Sequence, residues 1–164
     1  MYQSRTLYSL AILAIASTAP AQSSGPKSDF TRQSAAISRF EIESGRLAVE
    51  QSVNEATRAF ARDTLREHTR MLADLGDAAV QDGTGGDLSD RSEYADRLSA
   101  LKTASESDFD QAYLSAQVIV HEQAMRLFQT YGKDGQPGAL RNFAENQRGT
   151  LHTYSVRIEG LTSD

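Results

Sequence analysis

Three ionisable side chains interrupt the apolar stripes of an otherwise helical sequence, and their types suit metal binding or acid–base chemistry. Glu41 falls between Ile37 and Ser44, His68 between Thr64 and Met71, and His121 between Val118 and Met125. Steps of three and four residues keep each of them on the inward side of its helix. A carboxylate facing a core is expensive if charged and alone, so it must be neutral, paired or coordinated. Two imidazoles at the same level are natural partners. One carboxylate and two imidazoles with open positions suit a single zinc or iron ion. The same trio could perform acid–base chemistry on a small substrate, or close a structural polar cluster through hydrogen bonds. The residues alone leave these three readings open.

Other chemistries find little support. The chain has no cysteine, hence no thiol nucleophile and no lipid-attachment thiol, and no Gly-x-Ser-x-Gly occurs. Gly83, Gly85 and Gly86 follow a helix rather than a strand and read as a turn, not a phosphate loop. Glu67-His68 and His121-Glu122 are adjacent pairs whose members point about 100° apart. The Glu-x-x-His spacing of di-metal carboxylate bundles is absent. His152 shares a face with Arg148, Ser155 and Glu159 and is expected in solvent, whereas Tyr154 lies on the inward stripe and can flank the polar site. Met71 and Met125 read as core filler.

The positioning elements are long amphipathic helices. The first runs from about Asp29 to Gln51, with Phe30, Ile37, Phe40, Leu47 and Ala48 inward and Arg39, Glu43, Arg46 and Glu50 on a solvated face. The second is announced by Ser52 or Asn54, with Glu55 at capping-box spacing from Ser52, and ends near Gln81 at a glycine cluster. A shorter connecting helix carries Tyr94, Leu98 and Leu101. The third long helix opens at Ser105 or Ser107; it is apolar around more than half its circumference, which suits the most buried helix. Residues 132–138 read as a turn, with Pro137 placed to begin a fourth helix. There Leu140, Phe143, Gln147, Leu151, Tyr154, Ile158 and Leu161 keep bundle-seam spacing. Helix midpoints near residues 40, 68 and 120 put Glu41, His68 and His121 at nearly one level, whichever way each helix points. The expected fold is an all-α four-helix bundle with a short extra helix between the second and third long ones.

Several stretches resemble a known family. They are Glu41-Ile42-Glu43-Ser44-Gly45-Arg46-Leu47-Ala48, Phe60-Ala61 leading to His68, Phe109-Asp110 and Tyr113-Leu114 leading to His121, and Phe143-Ala144. This pattern resembles ferritin-like, exported bacterial proteins of unknown function, often labelled as outer membrane proteins. The resemblance covers most of the chain beyond the leader and implies a ferritin-like bundle with Glu41, His68 and His121 as its polar centre. Several members of that family continue the fourth helix with a proline, a leucine and a further histidine. This chain has Gly149, Leu151 and Tyr154 at those places, so the fourth histidine is missing.

The remaining signals concern location and partners. Arg5, the apolar run from Leu7 to Ala16 and Ala19-Pro20-Ala21 form a signal-peptide layout, so residues 1–21 are expected to be removed on export. Residues 22–28 read as a flexible leader and 29–164 as the bundle domain. The apolar run is shorter than a membrane span and no later stretch approaches one. Without Arg5 the basic residues number 17 minus 1, or 16, against 22 acidic ones, a charge of −6 with histidines neutral. Such a chain is a poor nucleic-acid binder. The expectation is a periplasmic bundle, free or associated with the outer membrane, non-enzymatic, metal-binding or stress-related, with a protein partner or a second copy of itself. A ferritin-like metal-dependent oxidase using the same three residues is the alternative.

Overall fold

Helical periodicity dominates the chain, and the computed structural model, which describes residues 25–84, 88 and 92–163, is all-helical over them. The expected signal peptide (1–21) and residues 22–24 of the expected leader lie outside the described residues. Four long helices are α1 (Pro26–Gln51), α2 (Glu55–Gln81), α4 (Glu106–Asp134) and α5 (Ala139–Ser163), with the short α3 (Ala95–Thr103) between α2 and α4. No described helix is long and apolar enough to cross a membrane.

Local chemistry sets the helix ends. Pro26 sits in the first turn of α1, where a missing N–H is harmless, so the helix starts three residues before the expected Asp29. Asn54, not Ser52, caps α2: its Oδ1 accepts from the backbone N–H of Ala56 at 2.8 Å and of Thr57 at 3.1 Å. The Ser52–Glu55 capping box does not form, because Glu55 turns outward to Arg58 and Arg62. α2 closes with paired backbone bonds, Thr84 N–H to Ala79 O at 2.9 Å and Gly83 N–H to Val80 O at 3.1 Å. That closure needs the left-handed backbone of Gly83 (φ +69°). α4 continues through Asp134, so Gly132, Lys133 and Asp134 are helical where a turn was expected. Gly132 is buried against α5, and a Cβ there would stand 3.2 Å from Glu145 Cγ.

α1 and α2 form one hairpin and α4 and α5 another; α1 also packs on α4, and α2 on α5. Asn54 at the start of α2 donates its N–H to Asp110 Oδ2 near the start of α4 at 3.1 Å. Asp82 at the end of α2 reaches the start of α5. α1 and α5 therefore run one way, and α2 and α4 the other.

Burial departs from expectation in two places. α1, not the third long helix, carries the most buried positions, twelve against ten in α4. It is covered by α2, α4 and α3 together, and much of its contact surface is Ser34, Ala35, Ala36 and Ser38, small residues that a search for large apolar groups passes over. The face expected to be fully solvated is partly covered as well: Arg39 and Glu43 line a crevice with Tyr94 and Leu98, and Arg39 donates to the backbone carbonyl of Leu88.

Asp82 ties three helices at one end. Its carboxylate accepts from Ala139 N–H at 3.0 Å and Leu140 N–H at 3.1 Å and pairs with Lys27 Nζ at 3.3 Å. It thus supplies the cap of α5, which begins at Ala139 rather than Pro137. Gly138 lies close beneath it, with φ +155° and no room for a Cβ, which would fall 2.4 Å from Asp82 Oδ1. Asp82→Ala is expected to lower unfolding free energy by about 1–2 kcal/mol, the usual worth of an N-cap. Urea denaturation with an unchanged slope checks this; an Asp82→Ala midpoint equal to that of the parent chain refutes it.

Candidate metal centre

The three stripe-breaking residues meet inside the bundle. Glu41 comes from α1, His68 from α2 and His121 from α4, and they are 0%, 1% and 2% exposed. One ligand atom from each lies within 4.8 Å of the other two. Glu41 Oε1 is 3.3 Å from His121 Nδ1, and the two imidazole rings stand nearly perpendicular with centroids 6.0 Å apart. Neighbouring carboxylates stay outside: Glu67 pairs with Arg70 at 2.5 Å, and Glu122 is exposed.

The trio is short of hydrogen-bond partners. Both Glu41 oxygens, His68 Nδ1 and both ring nitrogens of His121 are buried without a hydrogen bond to any described residue. The 3.3 Å contact of Glu41 with His121 is an ion-pair distance whose angles do not make it a hydrogen bond. Buried polar atoms in native proteins are normally satisfied. A cation bound among them would satisfy the carboxylate and the imidazole nitrogens together.

Electrostatics bring Glu41 and His68 toward their ligating forms. Burial drives the His68 pKa down to about 4, with the Glu41 charge opposing and His121 adding to the fall. His68 is therefore a neutral imidazole near pH 7, the form that donates a lone pair to a metal. Burial alone would raise Glu41, but the closeness of His121, then of His68 and Gln117, outweighs it and holds the carboxyl below its ordinary range. A carboxylate and a neutral imidazole already stand side by side.

The fourth wall is Tyr154 of α5, half-buried, whose ring lies 6.1 Å from that of His121 at an interplanar angle of 24°. Its other neighbours are Phe60 at 5.8 Å and the Arg157 guanidinium at 5.3 Å. Tyr154 flanks the centre by its ring, while His152 is exposed. Among the described residues, α5 adds no histidine or carboxylate to the cluster. A single ion bound here would have one oxygen and two nitrogen ligands from protein, the donor set of mononuclear zinc and non-haem iron sites.

The pattern reading missed a polar shell around the trio. Gln117, one turn before His121, is fully buried and donates from Nε2 to Ser44 Oγ at 3.3 Å. Thr64, one turn before His68, and the Tyr113 hydroxyl are buried close to one another, and burial followed by the Glu41 charge raises the Tyr113 pKa well above its usual value. The available signal was a polar residue four places before each histidine on the same stripe.

The sequence over residues 13–161 matches a family described as Domain of unknown function (DUF4142). The chain belongs to this family. No match is found among curated proteins or solved structures. Membership covers α1 through most of α5, and therefore every helix that supplies the family member's Glu41, His68, His121 and Tyr154.

Glu41→Gln separates a ligand from a structural keystone. The amide keeps the shape and the hydrogen-bonding capacity and loses only the contacts special to the ionised carboxylate, so the metal-free protein should be less stable than the parent by no more than about 1 kcal/mol. Thermal melting of both forms with chelator present checks this. A loss of several kcal/mol would make Glu41 a structural group.

Proposed function

We propose that this chain is an exported, ferritin-like four-helix bundle that binds one iron or zinc ion through Glu41, His68 and His121, in a binding rather than a catalytic role. One observation carries the metal reading: three potential ligands from three helices converge within 4.8 Å in a fully buried place where five of their six polar side-chain atoms lack hydrogen bonds. The parallel run of α2 and α4, joined by the segment that contains α3, supports the ferritin-like reading. Export to the periplasm, with association to the outer membrane, rests on the layout of residues 1–21 and on the resemblance described above.

The test is elemental analysis of protein purified without chelator or affinity-column metal, beside the His68→Ala/His121→Ala double variant. Near-stoichiometric iron or zinc in the parent and none in the variant supports the reading. A parent chain that is metal-free and refuses reloading overturns it.

A second reading, a metal-dependent oxidase, is favoured by one feature. α5 presents Tyr154 rather than a fourth ligand, so three protein donors leave coordination positions for a small molecule. Consumption of oxygen or peroxide by iron-loaded protein, lost in the double variant, would select it; inert iron selects the binding role.

A further inference from the structure

The centre is buried, and a small pocket between α4 and α5 lies against one of its members, His121. Its volume is about 60 Å³, and it is lined by Val118, His121 and Glu122 of α4 and Ser155, Ile158 and Glu159 of α5. We propose that a divalent cation loads the centre through this pocket, captured first by Glu122 and Glu159 at its mouth and passed to His121 at its floor. The proposal rests on the metal reading above.

The floor argues for a ligand. His121 is 2% exposed, and neither of its ring nitrogens has a hydrogen-bond partner among the described residues. The pocket's lining therefore includes the residue that carries this unpartnered Lewis base, and its ring nitrogens lie just behind the pocket wall, closed to solvent. The same side chain stands 3.3 Å from Glu41, so it touches both the pocket and the interior cluster.

The mouth argues for a cation. Glu122 and Glu159 are exposed, one on each helix beside the pocket. Glu122 pairs with Arg126 at 3.5 Å, but both side chains are about two-thirds exposed (64% and 67%), and such a pair is weak enough for a divalent ion to displace. Among the described residues, the Glu159 carboxylate has no salt bridge; only its backbone carbonyl accepts, from Thr162 and Ser163.

Size fits this order of events. The pocket is small, with room for only a few waters. A fully hydrated ion must shed most of its shell to enter, and carboxylate oxygens at the mouth replace those waters as they leave. Two negative groups flanking a narrow opening also focus the field and raise the rate of encounter.

Rapid mixing of the metal-free protein with Co²⁺, followed by ligand-field absorption, tests the proposal. Glu122→Gln/Glu159→Gln should load at least about fivefold more slowly at low salt. The difference should fade near ~0.5 M salt, where such charges are screened. Final stoichiometry should remain one ion per chain. Ser155→Phe, which fills the pocket without changing charge, should slow loading at every salt concentration. Glu50→Gln/Glu106→Gln, exposed carboxylates elsewhere, should load at the parent rate.

Unchanged rates in both the mouth and the plug variants overturn the route. A lower final stoichiometry in the mouth variant overturns it too, because it would make those carboxylates resident ligands. If the parent chain takes up no Co²⁺, the metal reading itself has failed and the route falls with it, an outcome distinct from normal uptake at an unaltered rate.

Discussion

His68→Ala and His121→Ala should each lower zinc or iron affinity by more than about 100-fold, the upper end of what is lost when a mere supporting partner of a metal ligand is removed. His152→Ala should leave affinity unchanged. The contrast follows from placement: His68 and His121 are buried within 4.8 Å of Glu41 ligand atoms, while His152 is exposed on the outer face of α5. Three protein ligands are few, so none is redundant. Competition with a chromogenic chelator gives the affinities, and circular dichroism shows whether each variant keeps its helices. Metal should also stabilise the parent fold, by about 2.7 kcal/mol at a free concentration one hundred times Kd. Neither histidine variant should show this gain. Equal loss in all three variants, or equal retention, would remove the geometry on which the metal reading stands.

The helices and the level of the trio were legible because both follow from periodicity. A stripe of Phe60, Thr64, His68, Met71 and Leu75 has one natural conformation, and once Glu41, His68 and His121 sit near helix midpoints their meeting needs only that the helices pack side by side. What escaped has equally physical reasons. Asp82 caps a helix that begins 57 residues later, and nothing near Asp82 in the chain signals that partnership. Capping rules describe a helix's own first residues, so Pro137 looked like the start of α5 when the acceptor came from α2. The burial of α1 was underestimated because Ser34, Ala35, Ala36 and Ser38 let helices approach closely without adding hydrophobicity. Gln117 and Thr64 were visible as residues but not as a shell, since their meaning depends on which helices face each other.

Acid should destabilise the metal-free protein above the range in which carboxylates normally titrate, and His68 is the reason. Its folded-state pKa is depressed to about 4 from an ordinary 6.5, chiefly by burial. The unfolded chain therefore takes up a proton first as pH falls through 6.5, and the folded chain resists until about pH 4. Stability is fully present above 6.5, is lost between 6.5 and about 4, and levels off with respect to this group below 4. The size of the loss is about 3 kcal/mol for one fully buried imidazole. Glu41, whose carboxyl lies below its ordinary range, adds a further loss of the same sign below pH 4.5. Urea midpoints taken from pH 7.5 to 4.5 with chelator present should fall steeply for the parent and much less for His68→Gln, which removes the titrating group and keeps a polar side chain in its place. With metal bound, the same proton must also displace the ion, so the fall should begin at lower pH as free metal is raised. A parent chain whose midpoint is flat across this range would mean that His68 takes up its proton as readily when folded as when unfolded, and a neutral buried imidazole could then no longer be counted among the ligands.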